Sequence, residues 1–289
     1  MPNSVEGDVT IDAGTFRRST LATLDLPGVT AAFNTVYQRY VVPFAMDEEQ
    51  MGRHLSSTAL DLELSPLWLG DQGEVAGLGA LGLRGERGWI GGFGIAPSYR
   101  GHGLGRLLLE ETLAGARALG MHQAELEVLR QNEAAIRLYT RAGFRAVAYL
   151  TGLLLLRPVA PMPGRETARG ADPRTLLARL PRLRQERTSW QREPSTLAAS
   201  GELAAIVVGS PERPDGYLFY RRTPTAVAIM DIDAAGAPTV TMLIDTLRRR
   251  LSERSISLNN EPIGGAIHPA LLASGWKEVW RQQRMVIAL

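Results

Sequence analysis

The sequence predicts an α/β (α+β) architecture, a mixed central sheet flanked by helices and followed by a second, smaller domain of related pattern. Three observations predict it. From Gly88 to Phe144 the chain alternates strand, glycine loop, helix, strand and helix, the wiring of parallel neighbours joined by a crossover. Ahead of it, Asp61 to Leu69, Glu74 to Leu83 and Gly88 to Ile95 read as a meander broken by Gly70-Asp71-Gln72-Gly73 and by the turn around Gly85. The second half then echoes the first at a nearly constant spacing.

Residues 1–18 read as a lead-in or an edge strand. Asp25-Leu26-Pro27 starts a helix, with Asp25 near the N-cap and Pro27 in the first turn, and Val29, Phe33, Val36, Tyr37 and Tyr40 follow at helical spacing. Pro43 ends that helix, and Asp47-Glu48-Glu49 opens a second one to about Leu55. Two readings stand for Tyr37, Tyr40 and Phe44: the wall of a cleft, or core. The strand Trp89–Ile95 leads through Arg100-Gly101-His102-Gly103-Leu104-Gly105 into a helix from about Leu104 to Leu119. The strand Ala124–Leu129 and a helix from Glu133 to Ala142 follow, and after Phe144 there is room for one long strand or a tight hairpin through Leu156.

Pro97 cannot donate to a ladder and stops the first of these strands. The glycines behind it let the backbone turn tightly and present N–H groups at the positive end of a helix, an anion site with Arg100 and Arg106 on its flanks. A pyrophosphate suits that seat. A P-loop is excluded, because Gly105 is followed by Arg106-Leu107 and not by Lys and Ser or Thr. Gly77-Leu78-Gly79-Ala80-Leu81-Gly82 spells a dinucleotide fingerprint but opens no helix, so it reads as glycines in a strand and its hairpin.

Arg100-x-x-Gly103-x-Gly105 after a strand resembles the coenzyme A loop of the GCN5-related N-acetyltransferases (GNAT). Leu126-Glu127-Val128, Asn132, Ala135, Leu138-Tyr139 and Gly143-Phe144 resemble that family's last block, so the likeness covers roughly Leu24 to Arg157. It implies the GNAT fold and acetyl-CoA as cosubstrate, with direct transfer to a primary amine in a ternary complex and no metal. By resemblance the coenzyme is held by Phe93, Gly94, Ile95, Arg100, Gly101, His102, Gly103, Leu104, Gly105, Arg106 and Asn132. Tyr139 stands where the family often places a general acid. Glu127, twelve residues earlier, stands where bacterial ribosomal-protein N-terminal acetyltransferases carry a base; the rival reading is a structural glutamate with water as relay. Asp61 and Glu63 either hold a cationic acceptor or face solvent. The other functional class that fits is a catalytically silent acyl-CoA-binding sensor or scaffold.

Gly275-Trp276 repeats Gly143-Phe144 at an offset of 132 residues, and Ala266-Ile267 repeats Ala135-Ile136 at an offset of 131. At the offset of 132 Tyr139 becomes Leu271, and the loop Asp233–Pro238 lacks the arginine and the glycine pair. This predicts a catalytic domain over 1–157, a proline-rich linker over 158–185 and a degenerate GNAT-like domain over 186–289, with an unrelated α+β domain as the other reading of the second half.

At 289 residues, 45% of them hydrophobic, the chain can build two cores. It has no cysteine, which excludes disulfides and a thiol nucleophile, and its four histidines lack ligand spacing. Net charge is +2, so no nucleic-acid groove is expected. No run of eighteen apolar residues and no signal peptide is read, so a cytoplasmic protein without membrane contact is expected. The expected partner is a small-molecule or peptide amine acceptor, and a homodimer is compatible with the sequence.

Overall fold

The computed structural model describes residues 7–11, 14–156, 168–180, 189–223, 226–251 and 255–289. It divides into two compact units, Met1–Val147 with Arg284–Leu289, and Ala148–Gln283.

In the first unit β1 (Asp8–Ile11) pairs antiparallel with β2 (Gly14–Thr20). Helix α1 (Leu26–Val36) begins where the Asp25 carboxylate accepts the Gly28 N–H at 2.9 Å, and Pro27 sits in its first turn. Helix α2 (Glu48–Thr58) begins with a reciprocal box: Asp47 accepts the Gln50 N–H at 2.7 Å while Gln50 accepts the Asp47 N–H at 3.0 Å. The strand expected from Asp61 to Leu69 is instead two pieces, β3 (Leu60–Asp61) and β4 (Pro66–Leu69). Asp61 breaks it by accepting the N–H groups of Glu63 at 3.0 Å and Leu64 at 3.2 Å, a local turn that competes with the ladder.

Strands β5 (Val75–Arg84) and β6 (Arg87–Ile95) follow as an antiparallel pair, then α3 (Leu104–Ala118), β7 (Gln123–Leu129) and α4 (Glu133–Arg141). The strand order is β1-β2-β4-β5-β6-β7, and only β6 and β7 run parallel. The other edge of β7 is covered by the chain's own end, where the Leu289 N–H donates to the His122 carbonyl at 3.0 Å. The Gly77–Gly82 glycines lie on β5. A Cβ at Gly79 would stand 2.3 Å from the Thr112 hydroxyl of α3, and one at Gly92 of β6 would stand 2.4 Å from the Phe33 ring of α1. Missing side chains therefore let a helix approach this sheet on each face.

After α4 a single long strand, β8 (Arg145–Leu155), carries the chain from the first unit into the second. The proline-rich run Arg157–Gly164 lies outside the described residues. Within 158–185 the described part holds β9 (Ala168–Ala171) and α5 (Pro173–Leu177), both in the second unit. Then come α6 (Pro194–Ala199), β10 (Ala204–Ser210), β11 (Arg213–Arg222), β12 (Ala226–Ala234), α7 (Ala237–Arg250), β13 (Ser255–Pro262), α8 (Ile267–Ala273) and β14 (Lys277–Ala288). The strand order is β9-β10-β11-β12-β13-β8. The last six residues, Arg284–Leu289, belong to the first unit, not to a domain running to the C-terminus.

The succession β12-α7-β13-α8-β14 reproduces β6-α3-β7-α4-β8, with β12 and β13 parallel like β6 and β7. Two details show the repeat. The Phe144 N–H donates to the Tyr139 carbonyl at 3.0 Å past Gly143 (φ +102°), and the Trp276 N–H donates to the Leu271 carbonyl at 3.2 Å past Gly275 (φ +89°). Each pair lies 132 residues from the other. A bulge also interrupts both strands at the same place, at Gly91 in β6 and at Met230 in β12.

In each unit the parallel pair parts. Strands β6 and β7 stay in register only through Trp89↔Glu125, and β12 and β13 through Ile229↔Leu258. Beyond Ile229 the second unit fills the parting with Arg192, which is 3% exposed. Its Nε donates to Asp231 at 2.8 Å and Nη2 to the Ile232 carbonyl at 3.0 Å. Nη1 donates to Glu261 at 2.7 Å and to the Asn260 carbonyl at 3.0 Å. Burial works against the guanidinium's charge, but Glu261 and Asp231 outweigh it and push its pKa up.

Two predictions follow from these interiors. Arg192→Met should destabilise the second unit by about 3–5 kcal/mol in denaturant unfolding, because two buried carboxylates lose their cation. Arg192→Met combined with Asp231→Leu and Glu261→Met should recover much of that. In the first unit His54 of α2 lies edge-on to Phe33 (6.2 Å between ring centroids) and Trp89 (6.1 Å), and burial lowers its pKa from 6.5 to about 4. The unfolded chain therefore binds the proton first, so stability falls as pH drops from 6.5 towards 4. His54→Gln should remove up to roughly 3 kcal/mol of that acid-side loss, read as the difference between the two proteins' pH–stability curves.

Candidate active site

The loop between β6 and α3 is built from its backbone. After Ile95 a short turn over Pro97–Tyr99 leads to Gly101 (φ +90°) and Gly103 (φ +82°), left-handed positions that cost glycine nothing. Gly103 caps α3 without a side chain, and a Cβ at Gly101 or Gly103 would meet nothing within 4 Å. His102 is exposed, and Leu104, buried, anchors the helix start. The Arg106 N–H is taken by the Gly103 carbonyl at 3.1 Å, while the donors ahead of it sit at the helix's positive end with no acidic residue in the first turn.

The two arginines expected to flank this seat are otherwise engaged. Arg106 reaches along α3 to Glu110 at 2.7 Å. Arg100 donates from Nε to the Ile95 carbonyl at 2.9 Å and from Nη2 to the carbonyls of Val36 at 3.0 Å and Gln38 at 2.8 Å. Desolvation and the neighbouring Arg39 lower its pKa.

Where β6 leaves β7, a cluster of aromatic side chains converges. Tyr139, buried on α4, lies edge-on to Phe93 (6.0 Å) and Phe144 (5.7 Å). Burial, with Tyr37 and Tyr40 adding to it, raises its pKa well above 10. The Phe93 N–H donates to the Tyr37 hydroxyl at 3.3 Å, and Tyr37 packs against Phe44 (4.4 Å) and Tyr40 (5.1 Å). Burial pushes Tyr37 up to about 12, with Tyr40 contributing. Asn132 accepts the Ala135 N–H at 3.2 Å as the N-cap of α4 and also engages the Tyr40 hydroxyl. Gly94 faces α1, where an added Cβ would stand 3.0 Å from the Val36 side chain.

Glu125 and Glu127 alternate onto one face of β7. Glu125 is buried and paired with Arg87 at 2.7 Å, whereas Glu127, half-buried, accepts the Trp89 indole N–H at 2.8 Å. Sequence reading did not find the Trp89–Glu127 bond, the Tyr37–Phe93 bond or the carbonyl grip of Arg100. For the second of these, the helical spacing of Tyr37 and Tyr40 was the available signal. Asp61 is occupied by its own turn.

The second unit has no counterpart of the loop. Ala235 and Gly236 alone join β12 to α7, Gly236 is extended (φ 175°), and Pro238 removes an N–H from the first turn.

Residues 32–144 match the family model described as Acetyltransferase (GNAT) family. A mycothiol acetyltransferase of Propionibacterium freudenreichii subsp. shermanii is 35% identical over 72 residues, 25% of this chain and 23% of that protein; the match thus spans about a quarter of that relative's length. Among solved structures, a GCN5-related N-acetyltransferase from Sphaerobacter thermophilus superposes with a TM-score of 0.69 over 97% of both chains at 16% identity. A tandem GNAT protein from the clavulanic acid biosynthesis pathway gives 0.67 over 94% of this chain and 98% of that one at 15% identity. The chain thus has the GNAT fold, and its segment 32–144 is similar to the acetyltransferase (GNAT) family.

Proposed function

We propose that the first unit transfers an acetyl group from acetyl-CoA to the primary amine of a small molecule or peptide. The observation that carries the reading is the join of two features on one strand. Strand β6 parts from β7 at its end and runs directly into a glycine loop whose Gly101 and Gly103 leave open space at the start of α3. The seat fits a diphosphate: its donors are backbone amides, and the absent Cβ atoms leave room for close approach.

In this reading the amides of Gly101–Gly105 hold the diphosphate, and the edge of β6 at Phe93–Ile95 holds the pantetheine arm. Asn132 keeps the start of α4 in place beside them. The coenzyme supplies an acetyl thioester, whose acyl carbon the amine attacks and whose sulfur leaves as the thiol. Tyr139 Oη holds the proton for that sulfur. Its raised pKa keeps the proton on oxygen across the working range, so transfer comes only as charge builds on sulfur. Glu127, oriented by the Trp89 indole, takes the amine's proton. The second unit, with Arg192 in its parting and no glycine loop, binds no coenzyme and serves as scaffold.

Calorimetry with acetyl-CoA should show one equivalent bound per chain, and Gly103→Glu should abolish the heat by placing bulk and negative charge in the seat. Binding to the variant, or two equivalents in the parent, would count against the assignment. Tyr139→Phe should lower kcat on the order of 10²-fold while the coenzyme Kd holds. Thiol release with a panel of amines reads this out, and coenzyme binding without any release would favour the silent sensor.

A further inference from the structure

We propose that His54 Nε2 is a second hydrogen-bond acceptor in the amine seat, beside Glu127, and that the two together hold the N–H groups of a primary amine while its lone pair faces the acyl carbon. The assignment rests on the acetyl-transfer reading above and goes beyond it by naming what orients the acceptor.

His54 projects from α2 onto the face of β6 that carries Trp89, its ring edge-on to Trp89 at 6.1 Å and to Phe33 at 6.2 Å. One ring nitrogen bonds the backbone of Gly91. Gly91 is the bulge of β6, passed over between Leu81↔Ile90 and Ala80↔Gly92, so it has no residue opposite it on β5. Nε2 is shut off from solvent and has no hydrogen-bond partner among the described residues. The nitrogen on Gly91 is therefore Nδ1. That bond raises the imidazole's pKa, so it runs from Nδ1–H to the Gly91 carbonyl. The tautomer is thereby set, and Nε2 carries a bare lone pair. Burial outweighs the bond and lowers the pKa to about 4, so the ring is neutral at pH 7.

The register sets this anchor level with Glu127. Trp89 and Glu125 are the last paired residues of β6 and β7, and Gly91 and Glu127 each lie two residues further, where the strands have begun to part. The Trp89 indole joins the two: its N–H donates to Glu127 at 2.8 Å, and a Cβ at Gly91 would stand 2.1 Å from its ring. Phe93 follows two residues on, about 7 Å along the strand. A partnerless acceptor kept from water costs free energy in the empty protein, and a donor that reaches it gains a bond without stripping water from it.

An unprotonated primary amine gives one N–H to Glu127 and the other to Nε2. As its nitrogen bonds the acyl carbon, Glu127 takes the first proton, the carbon–sulfur bond breaks, and the sulfur takes the proton of Tyr139. The hydrogen on Nε2 is never transferred; it remains on nitrogen as the N–H of the product amide. Glu127 then loses its proton to solvent, and Tyr139 regains one from it.

Two substitutions divide the ring's two bonds. Asn at position 54 can still donate to Gly91 but has no acceptor at the place of Nε2, whereas Gln carries its amide oxygen there and gives up the Gly91 bond. With ethylamine as the minimal probe and the panel amine that releases thiol fastest, His54→Asn should lower kcat/KM roughly tenfold, and His54→Gln should stay within about threefold of the parent. The calorimetric Kd for acetyl-CoA should hold in both. Independently of turnover, in ¹⁵N-histidine-labelled parent protein loaded with CoA, the His54 Nε2 resonance should move upfield as the amine is added. The reverse order of the two variants, equal losses in both, or a stationary resonance, with coenzyme bound and thiol released by the parent, overturns the His54 assignment alone. No heat with acetyl-CoA, or no thiol release with any amine, removes the acetyl-transfer reading itself and this assignment with it.

Discussion

Two parallel strands that pair over Arg87–Trp89 and then separate leave a row of backbone donors and acceptors with no ladder partner. Buried polar groups of that kind cost free energy unless something satisfies them, so a parting in a sheet must be filled. The first unit fills part of it lightly, with the Tyr37 hydroxyl on the Phe93 amide at a long 3.3 Å. The second unit fills its own parting with Arg192, four bonds of 3.0 Å or less and two carboxylates. A single weak bond can be exchanged for a ligand's. A buried ion triad cannot, because removing its cation strands two charges in a low-dielectric interior. The same topology thus gives one gap bridged by a single hydroxyl and one filled by a buried ion triad.

The light filling depends on how closely α1 lies to β6. Phe33 and Val36 rest where Cβ atoms of Gly92 and Gly94 would stand, and a methyl at Gly92 would come 2.4 Å from the Phe33 ring. Overpacking of that size costs about 1–3 kcal/mol and moves backbone. Moving α1 outward would carry Tyr37, its first residue past the end, away from the Phe93 amide. The glycines of β6 therefore act at two ranges: they seat the helix, and through it they place a hydroxyl in the parting.

What the sequence discloses and what it hides follows the range of the interaction. The loop from Arg100 to Gly105, the caps at Asp25, Asp47 and Asn132, and the 132-residue repeat are local signals, and the structure places each in its element. The break at Asp61 was hidden because one carboxylate binding two nearby N–H groups outweighs a strand-like pattern. Arg192 was invisible for a different reason. It precedes a short helix in a polar stretch, and its partners lie 39 and 69 residues downstream, where no periodicity points back to it. The placement of Arg284–Leu289 with the first unit was likewise beyond reach, since β14 alternates like any strand and its neighbour is chosen by the tertiary fold.

Arg100 shows how a motif residue can be read correctly for place and differently for role. A guanidinium beside a glycine loop invites assignment to phosphate. Here it meets carbonyls at the C-terminal end of α1, where helices leave acceptors unsatisfied and where a cation complements the dipole. Arg106 is paired with Glu110 one turn along α3. Side-chain charge is thereby drawn to the end of one helix and along the flank of another, and the start of α3 keeps only amides and its own dipole for an anion. A seat made of backbone has a fixed shape, whereas one made of long side chains must be ordered each time it is filled. The arginine itself stays out of the loop: it pins the strand end at Ile95 to the segment around the end of α1.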